Sequence, residues 1–139
     1  VIAQAQHHPA TLHGKILLAE DNVVNREIAV AMLELLGCAV DIAEDGQEAL
    51  TAVAAQPYDL VLMDCQMPNL DGLKASRLIR EQESQHSPRR RLPILALTAN
   101  AMEGDREQCL AAGMDGYLTK PFTIDQLHHA LTPWLKMAA

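Results

Sequence analysis

The stretch Asp59-Leu60-Val61-Leu62-Met63-Asp64, followed at once by Cys65-Gln66-Met67-Pro68-Asn69-Leu70-Asp71-Gly72, decides the fold. Four consecutive apolar residues bounded by acids read as a short strand buried on both faces. Such a strand needs no polar alternation, which is the pattern of a parallel sheet covered by helices. Asp64 is then a lone carboxylate at the strand's C-terminal tip, just before a loop. In an open α/β sheet that tip is where ligands bind.

Three other runs repeat the pattern. Ile16-Leu17-Leu18-Ala19 ends in Glu20-Asp21, Ile94-Leu95-Ala96-Leu97 ends in Thr98, and Gly116-Tyr117-Leu118-Thr119 is followed by Lys120. Three acids, a hydroxyl and a lysine at the ends of four strands are the parts of a metal-assisted phosphoryl site.

The bulk numbers agree with one folded unit. A chain of 139 residues suffices for a single domain with its own core, and 49% apolar residues make it globular. A net charge of −7 argues against binding nucleic acid. No apolar run approaches the ~18 residues of a membrane span. The first residues, Val1-Ile2-Ala3-Gln4-Ala5-Gln6, lack the basic start and apolar middle of a signal peptide. A start at Val rather than Met reads as a fragment or a processed chain. Three cysteines, Cys38, Cys65 and Cys109, without CxxC spacing suggest reduced thiols, mostly small core residues, in a cytosolic compartment.

Residues 1–14 read as a linker rich in Ala, Gln and His, and residues 15–137 as the folded domain. His7-His8 reads as linker or tag remnant, not as a metal site. Expected strands are Ile16–Ala19, Ala39–Ala43, Leu60–Met63, Ile94–Leu97 and Gly116–Leu118. Expected helices are Val23–Leu36, Gly46–Ala55, Leu73–Glu83, Ala101–Ala112 and Ile124–Met137. Alternation of this kind predicts an α/β fold. In the first helix Val24, Ile28, Ala31 and Leu35 are expected to form the buried face, with Gly37 as its stop. Asp45 with Glu48, Asp71, and Thr123 with Gln126 read as helix starts. Leu127, Ala130, Leu131 and Trp134 read as the last helix's apolar stripe. The arginines Arg89-Arg90-Arg91 in the polar connection 84–92 are expected to be solvated.

The chemistry follows from the residue types. Three converging carboxylates repel one another, and a hard, oxygen-seeking cation such as Mg²⁺ relieves that. Asp64 is the best nucleophile candidate, since a carboxylate can attack phosphorus to give an aspartyl phosphate. Lys120 is placed to neutralise the transferred group. Pro121 behind it suggests a fixed geometry, because an X-Pro bond takes the cis form at modest cost. Thr98 can hydrogen-bond a phosphate oxygen.

Glu20-Asp21, Asp64 with Met67-Pro68 and Asp71-Gly72, Thr98-Ala99, and Lys120-Pro121 together resemble the response-regulator receiver domain of two-component signalling. The resemblance spans Lys15 to about Leu135. It implies a doubly wound, five-stranded parallel sheet of flavodoxin-like (βα)5 type, with strand order 2-1-3-4-5. It implies transfer of a phosphoryl group from a phosphohistidine donor, a histidine kinase or histidine phosphotransfer domain, onto Asp64. Catalytic residues would be Asp64, Thr98 and Lys120, and Thr98 with Tyr117 would be the switch pair. Mg²⁺ would be held by Asp21 and Asp64 directly, Glu20 through water, and the main-chain carbonyl of Gln66. Gln66 and Asn100 would tune phosphoryl lifetime. The stretches 20–26 and 97–102, with Leu33-Glu34 and Gly37, look like receivers of hybrid sensor histidine kinases, although free-standing regulators share such residues. The resemblance also implies a cytoplasmic domain, whether or not a parent chain is membrane-anchored, touching neither membrane nor nucleic acid.

Competing readings fit less well. A pseudo-receiver used only for binding would have lost the acceptor, the metal acids or the lysine, and all are present. An aspartate-nucleophile phosphatase built on Asp21 wants a second Asp two residues later, where this chain has Val23. A flavin or nucleotide protein would offer glycines or hydroxyls after the first strand, not Glu20-Asp21.

Overall fold

The computed structural model describes residues 11–67, 69–85, 91–99 and 103–137. Seven strands and five helices alternate along them: β1 (Leu12–His13), β2 (Lys15–Ala19), α1 (Val23–Leu35), β3 (Ala39–Ala43), α2 (Gly46–Ala55), β4 (Leu60–Asp64), α3 (Gly72–Gln85), β5 (Ile94–Thr98), α4 (Glu103–Ala111), β6 (Gly116–Thr119), α5 (Ile124–Leu131) and β7 (Lys136–Met137).

The central sheet has five parallel strands in the order β3-β2-β4-β5-β6. Numbered among themselves, these strands run 2-1-3-4-5, as expected. The chain winds outward from β2 to β3, then crosses to β4 on the other side of β2. The crevice at the carboxyl ends of β2 and β4 is therefore the topological switch point, where such sheets bind ligands.

Successive strand residues point to opposite faces, which splits the core in two. Ile16, Leu18, Leu60, Leu62, Leu95 and Leu97 pack with Ala29 and Leu33 of α1 and Leu127 and Leu131 of α5. Leu17, Ala19, Val61, Met63, Ile94 and Ala96 pack with Ala49 of α2, Ala75 and Ile79 of α3 and Cys109 of α4. All of β4 is buried. Each fully buried Leu or Ile contributes ~1.5–3 kcal/mol, so the strand tips stand on a rigid base.

Local signals terminate the helices. Gly37 has φ +96°, and Gly37 and Cys38 donate back to Glu34 and Leu33 at 3.0 Å each, closing α1 with a left-handed cap. Asp45 accepts from the Glu48 amide, Asp71 from Lys74, and Thr123 and Gln126 form a reciprocal capping box. The Glu48 carboxylate accepts from the Glu44 amide, so the Asp45–Glu48 pair is only half a box.

Three expectations are corrected. Leu12, assigned to the linker, is buried in the core; its amide donates to the Leu36 carbonyl at 2.7 Å, and β1 pairs antiparallel with β7. The last helix stops at Leu131 rather than at Met137. Pro133 has no amide hydrogen to extend the ladder, so Trp134 lies beyond the helix, exposed, and Leu135 takes the buried place.

The face of α1 expected to be buried is the exposed one: Val24 is 63%, Ile28 50% and Leu35 75% accessible, while Ala29 and Leu33 face the sheet. The helix is apolar on two sides, and periodicity alone does not say which side meets the strands. Arg91 is exposed, as expected, and its guanidinium pairs with Asp115 at 3.0 Å. Arg89 and Arg90 lie outside the described residues.

Candidate functional site

The apolar strands end together, and their tips supply the site. Glu20 and Asp21 follow β2, Asp64 ends β4, Thr98 ends β5 and Lys120 follows β6. The Lys120 amide donates to the Thr98 carbonyl at 2.7 Å, continuing the β5–β6 pairing one residue past the strand. The Lys120–Pro121 bond is cis. All five residues, with Gln66, line one open cleft of about 940 Å³ at the switch point.

Glu20, Asp21 and Asp64 each present a carboxylate oxygen within 4.8 Å of the others. Asp21 is exposed, whereas Glu20 and Asp64 are only 1% and 5% accessible. Lys120 Nζ lies 3.1 Å from Oε1 of Glu20 and 3.3 Å from Oδ2 of Asp64. The backbone amides of Asn22 and Gln66 donate to Glu20 Oε2 and Asp64 Oδ1, at 3.4 and 3.2 Å.

Burial first, then the hydrogen bond and charge of Asp64, push Glu20 above the usual carboxylate range, against the pull of Lys120. Burial works against the Lys120 charge, but Glu20 and Asp64 outweigh it and raise this ammonium above its usual value. Three carboxylates against one ammonium, one acid held reluctantly ionised by burial, make a donor set that suits a hard divalent cation.

The supporting roles of several residues are not legible in the sequence. Asn22 caps α1, accepting from the Asn25 amide at 3.0 Å while its own amide holds Glu20. Gly72 runs so close beneath Asp64 that a Cβ there would sit 2.2 Å from the Asp64 carbonyl oxygen. Asn69 has φ +66°, and its amide group donates to Asp45 at 2.7 Å, fixing the loop after Asp64. An Asn between Pro and Leu-Asp-Gly was the available signal for that left-handed turn.

Tyr117 does not line the cleft. It is 36% accessible on β6, with the Arg106 guanidinium 5.5 Å from its ring centre. Pro68 and Asn100 lie outside the described residues.

Comparison with known proteins now places the chain in a family. The model of the response regulator receiver domain matches residues 16–132, and the chain belongs to that family. It is 50% identical to the receiver domain of sensor histidine kinase PA1611 from Pseudomonas aeruginosa PAO1, whose crystal structure holds a magnesium ion in the active-site cleft; the match has a TM-score of 0.79 and covers 88% of this chain and 97% of that one. It is 32% identical, with a TM-score of 0.82, to the receiver domain of the Saccharomyces cerevisiae response regulator Ssk1, solved with the histidine phosphotransfer protein Ypd1; 89% of this chain and 90% of that one are covered.

Among curated relatives, Histidine kinase 5 of Arabidopsis thaliana is 43% identical over 90% of this chain, which spans 16% of that protein. The chain likewise spans 10% of Hybrid signal transduction histidine kinase K and 7% of Hybrid signal transduction protein dokA, both of Dictyostelium discoideum. Among the described residues no helix is long and apolar enough to cross a membrane.

Proposed function

We propose that this receiver domain takes a phosphoryl group from a phosphohistidine onto Asp64, as one station of a two-component relay within a hybrid sensor histidine kinase. The observation that carries this reading is the buried Asp64 carboxylate 3.3 Å from Lys120 Nζ, in the same cleft as Glu20, Asp21 and Thr98.

An Asp64 oxygen attacks phosphorus as the bond from phosphorus to the donor imidazole breaks, leaving the imidazole with the electron pair. Lys120 then holds phosphoryl oxygens, and the Thr98 hydroxyl donates to another. Mg²⁺, held by Asp21, Asp64 and the Gln66 carbonyl with Glu20 through water, would neutralise charge on the transferring group when bound. Gln66, which lines the cleft, tunes phosphoryl lifetime, and the resemblance assigns the same role to Asn100.

The donor is a histidine kinase or histidine phosphotransfer domain. The exposed Ile28 of α1 supports this: with Ala29, Leu97, Pro121 and Phe122 it lines an apolar pocket that shares Glu20 and Lys120 with the cleft. A partner helix laid there brings its histidine to Asp64. The domain works in the cytoplasm and makes no contact with membrane or nucleic acid.

The deciding experiment is mass measurement after incubation with acetyl phosphate and Mg²⁺. The wild-type chain gains one phosphoryl group, labile to hydroxylamine, and Asp64→Asn gains none. An equal gain in the variant would overturn the assignment.

A further inference from the structure

The residue after the acceptor is a cysteine, and it faces another. Cys65 Sγ lies 3.7 Å from Cys109 Sγ, across 44 residues of sequence. Both thiols line the cleft that holds Asp64. Cys65 is partly accessible there, and Cys109 is buried behind it. Both backbones are anchored. The Cys65 amide donates to the Leu97 carbonyl at 3.1 Å, and the Cys109 carbonyl accepts from Met114 at the closed end of α4, also at 3.1 Å.

We propose that Cys65 and Cys109 are a redox pair. A hydroperoxide converts them to an intramolecular disulfide that ties helix α4 to the acceptor loop and slows phosphoryl acceptance at Asp64. The regulatory half of this proposal rests on the reading of Asp64 as acceptor; the chemical half does not.

The chemistry closes in two steps. The Cys65 sulfur takes the terminal oxygen of the hydroperoxide, the O–O bond breaks, and the Cys65 proton leaves with the other oxygen as alcohol or water. Cys65 is then a sulfenic acid. The Cys109 sulfur attacks the Cys65 sulfur, the S–O bond breaks, and hydroxide leaves with the Cys109 proton as water. Two thiols give up two electrons, and one hydroperoxide accepts them. Accessibility sets the order: the cleft admits peroxide to Cys65, and Cys109 resolves.

Sulfurs bonded at ~2.05 Å stand about 1.7 Å closer than these two do. That closure pulls on the residue between Asp64 and Gln66, and misplacement by ~1 Å at a reacting group costs up to about a hundredfold in rate. It also fixes α4, whose Arg106 touches the ring of Tyr117. Cys38 is an internal control. It lies among the core residues on the opposite side of the sheet from Cys109, and burial, with the Asp59 charge, pushes its thiol up.

The test uses the chain as it stands. After mild hydrogen peroxide, free thiols are alkylated and the digest is mapped by mass spectrometry. A peptide linking Cys65 to Cys109, with Cys38 alkylated, is the expected result. Sulfinic acid at Cys65 without a link, or links only between chains, would overturn the pair. Oxidised chain should accept phosphoryl from acetyl phosphate about tenfold more slowly or worse, with recovery in dithiothreitol. Cys109→Ser and Cys65→Ser should each abolish that peroxide sensitivity, and Cys38→Ser should keep it. Equal slowing by peroxide in both single variants would overturn the regulatory role. Should the link form while even the reduced chain takes no label, the acceptor reading fails and the redox pair stands.

Discussion

The Lys120 ammonium lies 3.3 Å from Oδ2 of Asp64 while also touching Glu20 at 3.1 Å. Lys120 thus occupies the place from which a cation would hold phosphoryl oxygens, already compensating two buried acids. Lys120→Ala is expected to retain slow phosphorylation, since the nucleophile and the acids remain. It should lose the structural response, since nothing then draws the phosphoryl oxygens toward β6. Amide spectra with and without beryllofluoride, a stand-in for the phosphoryl group, check this. A wild-type pattern of shifts in the variant would reduce Lys120 to a neutralising charge.

Removal of divalent ions should stop labelling altogether. Asp21 is the exposed member of the acidic trio and contributes little to the core. Asp21→Ala is therefore expected to keep its melting temperature while labelling falls nearly to the level seen in chelator. Titration of Mg²⁺ against both chains separates lost affinity from lost folding.

Gly72 should tolerate no side chain. Its missing Cβ would meet the Asp64 carbonyl oxygen at 2.2 Å and Met63 Cγ at 2.9 Å, and the first is rigid backbone. Gly72→Ala is expected to cost ~1–3 kcal/mol, the usual range for overpacking, and to slow labelling by moving Asp64. Urea denaturation gives the first quantity and acetyl phosphate kinetics the second. Unchanged stability would mean that α3 shifts freely away from β4.

The sheet was legible because fully buried parallel strands are apolar runs, and the site because its members stand at the ends of those runs. Glu20, Asp21, Asp64, Thr98 and Lys120 needed only the rule that strand tips converge. What was not legible depends on long-range geometry. The β1–β7 pair is two residues long on each side and carries no period. The orientation of α1 is not legible because Val24, Ile28 and Leu35 are as apolar as the residues that pack inward. Nothing local in the chain announces that Cys65 meets Cys109, or that Gly72 passes under Asp64.

Asp45 offers a pH-dependent test of the loop after Asp64. Hydrogen bonds from the Glu48 amide first, and from Asn69, hold its carboxyl below the ordinary aspartate value. A depressed folded value means that the carboxylate stabilises the fold above the unfolded value of ~3.9, and that this is lost as pH falls through the folded value. Asp45→Ala is expected to cost about 1 kcal/mol at neutral pH, as for other N-caps. The gap to wild type should narrow in acid. Urea midpoints across the acid range check both, and a constant gap would show that the cap acts without its charge.

Tyr117 supplies the last test. Its ring is turned outward on β6, under the Arg106 guanidinium at 5.5 Å. A contact of this kind at an exposed site is worth ~0.5–1 kcal/mol. It favours the outward ring, and so opposes any state in which Tyr117 turns inward behind Thr98. A phenol is amphipathic and tolerates both positions, so a small bias decides between them. Arg106→Ala should therefore shift the balance inward by about two- to fivefold. Because a ligand selects the state it prefers, beryllofluoride with Mg²⁺ should bind the variant tighter by at most the same factor. The readout is a titration followed at the amides of Thr98, Ala99 and Gly116–Lys120. Equal affinity in variant and wild type, with the same shifts, would make the Arg106–Tyr117 contact a surface pairing with no hold on the position of the ring.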